Sequence, residues 1–165
     1  MKKKIVVLGF LGTNLDLGGK ARCGRWRPTI SLGQQDDLLV DRFELFYEKN
    51  FLDLAQLVQK DFQQVSPETE FNLREVVLKD PWDFQTVYSG IFDNLKDYKF
   101  DTDNEEYLVH ITTGTHVIQI CLFLLTESHH IPGKLLQTHM QKSRNPNGTY
   151  TIIDLDLSKY DKIAE

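Results

Sequence analysis

The sequence predicts a Rossmann-like α/β fold: a three-layer sandwich whose sheet is mostly parallel, with an antiparallel hairpin at its C-terminal edge. Three observations predict it. Short β-branched runs alternate with stretches of helical apolar spacing along the chain. The first run, Ile5 to Gly9, is apolar throughout, as in a strand covered on both faces. The last two strand-like runs flank a polar loop with turn residues.

Each element follows from its own residues. Phe10 to Gly24, FLGTNLDLGGKARCG, is a glycine-rich loop after the first strand. RWRPTISL holds a short helix with Pro28 in its first turn, where a missing N–H costs nothing. Between Leu38 and Glu48, Arg42, Glu44 and Phe46 alternate with Phe43, Leu45 and Tyr47, the period of a second strand. Phe51, Leu54, Ala55, Leu57, Val58, Phe62 and Val65 recur at helical spacing and stop before Ser66-Pro67. FNLREVVL is a third strand. In DPWDFQTVYSGIFDNLKDY the pattern predicts a helix capped by Asp80, with Pro81 at its first position and Asp83 near its positive end. Its apolar stripe is Phe84, Val87, Tyr88, Ile91, Phe92 and Leu95. EYLVHITT is the fourth strand and THVIQICLFLLTE the fourth helix. GKLLQTHM and TYTIIDLDL close the sheet, with Asn-Pro-Asn-Gly of QKSRNPNG as the turn between them.

The totals fit one domain over residues 1–165, with 41% hydrophobic, 11% aromatic and 26% charged residues, as in a globular chain. A net charge of −5 excludes a basic clamp spread over the whole surface, so any nucleic acid must meet a local patch. Cys23 and Cys121 form no CxxC pair, and Cys121 lies in an apolar run, which points to a reducing, cytoplasmic setting. MKKKIVVLGFLGT begins like a signal peptide but runs into Gly-Thr-Asn without a cleavage pattern, and it reads as the opening strand. No run approaches the ~20 apolar residues of a membrane span.

In a sheet of this kind ligands gather at the carboxyl ends of the strands, where strand order reverses. Two loops qualify: the one carrying Gly12, Thr13 and Asn14, and the one carrying Thr112, Thr113, Gly114, Thr115 and His116. Glycine permits close backbone approach, hydroxyls and an amide supply hydrogen bonds, and the second loop opens a helix whose first N–H groups suit an anion. A tight turn with a helix cap explains the same residues. No G-x-G-x-x-G fingerprint, Walker A lysine, G-x-S-x-G elbow or zinc spacing accompanies them, so neither a cofactor nor a metal is expected. KARCGRWR places Lys20, Arg22, Arg25 and Arg27 around Trp26, a combination that grips phosphates and stacks bases, or else forms a solvated loop around a packed tryptophan. His110 reads as a core residue, and His129 and His130 as helix-end residues. The fourth helix is apolar on every side; either deep burial or a second subunit covers it, and the second predicts a homodimer with Val117, Ile118, Cys121, Leu122 and Leu125 at the seam.

GFLGTNLD, GRWRPTISL, DLLVDRFEL, VSPETE, DPWDF, HITTGTHVIQICLFLLTE and IIDLDLSKYD together resemble the N-terminal sensor domain of the RtcR family, sigma-54-dependent transcriptional activators of the bacterial RNA-repair operon. That sensor belongs to the CRISPR-associated Rossmann-fold (CARF) class, dimeric modules that bind nucleotide or RNA ligands across a two-fold axis. The resemblance implies an AAA+ ATPase domain and a helix-turn-helix DNA-binding domain beyond these residues, restrained by the sensor until RNA damage signals arrive. It implies an RNA ligand with a 2′,3′-cyclic phosphate end, or a tRNA fragment, held by Gly12, Thr13, Asn14 and by Thr112 to His116. Many relatives that bind cyclic oligoadenylate carry a lysine near the end of the second motif, a region that His116 occupies here, which favours the RNA end. Arg25, Trp26 and Arg27 join the site on the strength of the basic–aromatic cluster alone. The domain by itself is expected to be a non-enzymatic sensor; the alternative is a CARF-type nuclease acting on cyclic oligoadenylate or RNA, with Thr113 or His116 positioning the reacting groups.

Overall fold

The computed structural model describes residues 2–17, 19, 25–141 and 145–154. Among the described residues six strands and four α-helices succeed one another, with a 3-10 turn at Lys49–Phe51: β1 (Lys4–Phe10), α1 (Pro28–Gly33), β2 (Arg42–Tyr47), α2 (Leu52–Val65), β3 (Glu70–Glu75), α3 (Phe84–Leu95), β4 (Glu105–His110), α4 (His116–Glu127), β5 (Gly133–Gln141) and β6 (Asn145–Ile153). The sheet runs β3-β2-β1-β4-β5-β6, parallel except for the β5–β6 pair. This is the predicted Rossmann-like sandwich with its antiparallel edge. Among the described residues no helix is long and apolar enough to cross a membrane.

Alternate residues of β1 feed two cores. Val6, Leu8 and Phe10 join Val87, Ile91, Val117, Cys121, Leu122 and Leu125 on the α3/α4 side. Val7 and Leu11 join Ile30, Leu32, Val58 and Phe62 on the α1/α2 side, where the Phe43, Phe62 and Phe71 rings cluster with centroids about 5 Å apart, Phe43 stacked on Phe71. Filling both sides of a period-two strand with apolar residues is what a central parallel strand requires. β2 differs. Its Glu44 is buried and accepts from Arg42 Nε at 3.0 Å, Asn72 Nδ2 at 3.0 Å and Arg74 Nε at 2.6 Å, so the polar side of the alternation is a network with a buried carboxylate held by partly exposed donors.

Four boundaries depart from the sequence reading. α3 begins at Phe84 and its cap is Asp83, whose carboxylate accepts from Thr86 N at 2.9 Å and Thr86 Oγ1 at 2.6 Å. Asp80 instead turns the chain one step earlier by accepting from Trp82 N at 3.0 Å. Of two aspartates able to cap, the one with a hydroxyl at the third helical position gains a second bond. Asn-Pro-Asn-Gly is not the hairpin turn: Asn145 to Gly148 lie in β6, and the register passes from His139↔Thr149 to Gln141↔Asn145. Pro146, Asn147 and Gly148 therefore bulge opposite Met140, as a residue without an N–H and a glycine at φ +73° require. The bulge turns the Asn147 carbonyl toward α1, where it accepts from Ser31 Oγ and from Gln35 Nε2 at 3.1 Å. Lastly, β3 and β4 end at Glu75 and His110, short of FNLREVVL and EYLVHITT, because Val76 to Leu78 and Ile111 to Thr113 already belong to loops.

Candidate ligand-binding site

The chain leaves β1 toward β2 on one side and later enters β4 on the other, so strand order reverses between β1 and β4. Gly9 lies beside His110 in the ladder, which brings the loops after both strands to the same crown. They touch. Thr113 Oγ1 donates to the Phe10 carbonyl, and a Cβ on Gly12 would stand 3.0 Å from Thr113 Cγ2 and 2.9 Å from Asp16 Oδ2. Gly114 takes φ +91°, a conformation that favours glycine, and this swings the chain from β4 into α4.

The threonines of the second loop are structural first. Thr113 is buried by its bond to Phe10. Thr112 Oγ1 accepts from Thr138 N at 2.9 Å and still has its own proton to donate. Thr115 is the N-cap of α4, accepting from Ile118 N at 3.2 Å while donating to the Pro81 carbonyl at 2.9 Å. Gln119 Nε2 closes the loop from below, donating to the Thr112 and Gly114 carbonyls at 3.2 Å each. Thr13 is half-buried; Asn14 and His116 are exposed.

Trp82, which the sequence reading left inside a helix start, is 60% exposed and meets the His116 ring edge-on at 5.2 Å. The bond from Thr115 to Pro81 holds it there. An aromatic plane beside a histidine at a helix N-terminus offers stacking and a hydrogen bond to one ligand. The DPWDF segment signalled a helix start, but neither the exposure of Trp82 nor its place beside loop two could be read from it.

The basic cluster divides. Lys20, Arg22 and Cys23 lie outside the described residues. Arg25 is exposed. Trp26 packs against Gly148, where a Cβ would stand 2.4 Å from its Nε1, and that nitrogen is sealed from solvent. Arg27, expected to grip phosphate, is buried: Nη2 lies 2.9 Å from Asp61 Oδ2 and Nη1 donates to the Asp16 carbonyl at 3.4 Å. Asp16, also buried, accepts from Gly12 N at 2.9 Å, Thr29 N at 3.1 Å and Thr29 Oγ1 at 2.7 Å. Burial pushes its carboxyl above the ordinary range, against the lowering effect of the Thr29 bonds. Asp16, Arg27, Thr29 and Asp61 thus fix loop one to α1 and α2. Neither aspartate stood out in the sequence, since nothing local distinguishes a buried acid from a surface one.

The residues expected at a dimer seam are likewise inside the chain. Val117, Ile118, Cys121, Leu122 and Leu125 pack on the sheet and α3, and burial pushes the Cys121 thiol up to about 11. On this layer the exposed large apolar side chains include Ile120 and Leu124 of α4, Phe84 and Phe92 of α3, and Trp82 just before α3. A helix apolar all round has here one face in the monomer core and the other in the open.

The model of the family described as "RtcR: Regulator of RNA terminal phosphate cyclase" matches residues 3–165. The chain belongs to the RtcR family. The transcriptional regulatory protein RtcR of Escherichia coli (strain K12) is 46% identical over 167 aligned residues, which cover 98% of this chain and 31% of that protein. This RtcR-family chain therefore spans about a third of the curated relative it matches. Solved structures that share its fold include two bound to cyclic oligonucleotides. Csm6 of Enterococcus italicus bound to cyclic hexa-2′-fluoro-hexa-dAMP superposes with a TM-score of 0.74 at 15% identity, covering 98% of this chain and 45% of that one. Can2 of Sulfobacillus thermosulfidooxidans in complex with cyclic tetra-adenylate gives a TM-score of 0.58 at 16% identity, covering 89% and 36%.

Proposed function

We propose that this chain is the ligand sensor of a cytoplasmic transcriptional regulator of RNA repair, and that it binds an RNA end carrying a 2′,3′-cyclic phosphate at the crown between β1 and β4. The reading is supported above all by one observation: the two loops meet at the switch point with His116, Trp82 and the first turn of α4 on their open side. Recognition runs through backbone N–H groups, Thr13, Asn14, the Thr112 hydroxyl, His116 and Arg25, with Trp82 available to stack a base. Thr113, Thr115 and Arg27 hold the crown in shape from behind. No sensor of this kind needs to cut its ligand: differential affinity for two arrangements of two copies is sufficient to shift the equilibrium and release the rest of the protein.

Fluorescence anisotropy tests it, with short RNAs ending in cyclic phosphate, 3′-phosphate or hydroxyl, and with cyclic tetra- and hexa-adenylate, the ligand class of the two structural neighbours. Tightest binding is expected for the cyclic-phosphate end; no binding of any RNA overturns the reading, and preference for cyclic adenylate replaces the ligand. Chromatography after long incubation should return every ligand intact. His116→Ala is expected to weaken RNA binding about tenfold, the worth of one good hydrogen bond. Because His116 is exposed, the same change should alter folding stability by no more than about 0.5 kcal/mol.

Two copies are proposed to meet through the uncovered face of α3 and α4 rather than through the buried seam. Ile120→Glu combined with Leu124→Glu should turn a dimer into a monomer in sedimentation velocity without changing the far-ultraviolet circular dichroism. A dimer that survives both charges would move the interface elsewhere.

A further inference from the structure

β5 outruns the strand beside it. Of its nine residues, Gly133 to Leu136 pair with β4, whose last paired residue is His110. From Gln137 onward its ladder is with β6: Gln137 lies opposite Thr151, Thr138 opposite Tyr150 and His139 opposite Thr149. Because β5 runs parallel to β4, the five residues Gln137–Gln141 carry a two-stranded ribbon about 16 Å past the strand ends, on the side of the crown.

The ribbon is braced from one side. Trp26 packs against Gly148, and the Asn147 carbonyl accepts from Gln35 Nε2 at 3.1 Å. Thr138, buried on that side, meets His110 through its hydroxyl, while its N–H donates to the Thr112 hydroxyl at 2.9 Å. The other side is open. Counted by alternation from Leu135 and Ile153, which pack on the α3/α4 core, it carries Gln137, His139, Thr149 and Thr151. His139 and Thr151 are exposed and bond each other, Nε2 to Oγ1, at 3.1 Å.

We propose that this open face holds the ribose-phosphate body of a single-stranded RNA whose end sits in the crown. The inference rests on the crown reading and adds where the rest of the ligand runs. In a chain of net charge −5 the face has no carboxylate among its four side chains, which suits a polyanion. It offers a protein partner no apolar anchor to bury. Through Thr138 and Thr112 it is continuous with loop two, and its length matches about five stacked nucleotides at ~3.4 Å each. Hydroxyl, amide and imidazole groups all donate and accept, as a 2′-hydroxyl does, and contacts to that group are how a protein tells RNA from DNA. RNA laid on the ribbon also pulls on loop two, because the same Thr138 holds both.

Fluorescence anisotropy of the 165-residue chain tests this, with a dinucleotide ending in cyclic phosphate and a heptanucleotide bearing the same end. The heptanucleotide should bind at least about tenfold more tightly, the worth of one or two hydrogen bonds. His139→Val combined with Thr151→Val should lose that gain and hold the dinucleotide as before. Both positions are exposed and valine suits a strand, so the far-ultraviolet circular dichroism should not change. A heptanucleotide with deoxyribose in all but its last two residues should lose the gain on the unsubstituted protein, a result that does not depend on how the variant folds. A gain that survives the substitutions or the deoxyribose body overturns the proposal and leaves the crown reading intact. So does equal binding of the two lengths. Heptanucleotide binding that the substitutions weaken, with no binding of the dinucleotide, supports the ribbon as an RNA site and overturns the crown reading; no binding of either overturns both. A lower sedimentation coefficient for the double variant without RNA assigns the face to a second copy, and overturns the proposal as well.

Discussion

Replacing Arg27 by alanine should cost about 3–5 kcal/mol of folding stability, the loss expected when one partner of a buried ion pair is removed. The guanidinium and the Asp61 carboxylate retain 2% and 5% of their side-chain exposure, so solvent screens neither charge. Truncation removes the guanidinium that bonds the buried Asp61 carboxylate, and also the donor to the Asp16 carbonyl that pins loop one. In urea, with a slope of about 2 kcal/mol per molar, the unfolding midpoint should fall by roughly 2 M. Arg27→Met with Asp61→Leu should recover part of the loss, because apolar side chains of similar volume replace the pair. Arg25→Ala, at an exposed position, should hardly move the midpoint. An unchanged midpoint in Arg27→Ala would return that residue to the surface role its basic neighbours suggest.

That contrast marks where the sequence was legible. Periodicity found the strands and helices, because burial on one face or two writes itself into the order of apolar residues, as in Ile5 to Gly9 and in the stripe from Phe84 to Leu95. The location of both loops followed, since Gly12 and Gly114 sit at the strand ends that a doubly wound sheet turns to its ligands. What a polar side chain does there is a matter of three-dimensional neighbours. Thr113 bonds a carbonyl 103 residues earlier and Arg27 an acid 34 residues later, so nothing adjacent to either could separate ligand contact from internal support. The same holds for Asn-Pro-Asn-Gly, whose turn chemistry is real but serves a bulge that lends its carbonyl to α1. The fourth helix misled in a simpler way: composition showed that all its faces are apolar, and only packing could tell that Cys121 is in the core, with its thiol toward Phe84 of α3, while Ile120 and Leu124 face outward.

Acid should destabilise this fold well above the pH at which carboxylates protonate, through His110. The ring is wholly buried beside Gly9, Nε2 lies 3.0 Å from Thr138 Oγ1, and Nδ1 has no partner among the described residues. Burial pushes its pKa down to about 3 from an ordinary 6.5. Between those values the unfolded chain takes up a proton that the folded one refuses. The contribution is therefore complete above pH 6.5 and is lost as pH falls toward 3, at up to ~1.4 kcal/mol per pH unit. From pH 7 to 4.5 this amounts to about 2–3 kcal/mol. Asp16 acts with the opposite sign, since a carboxyl raised by burial favours the folded state at low pH and loses that advantage as pH rises. A comparison with His110→Gln separates the two. The variant should be less stable at pH 7, where a good ring contact is lost, and more stable than the parent near pH 4.5, so that urea midpoints plotted against pH cross. Parallel curves would show that the ring is solvated. A crossing carries a structural meaning as well: His110 is the last residue of β4 and the neighbour of β1 in the ladder, so the proton it excludes is one that would force apart the two strand ends on which the crown is built.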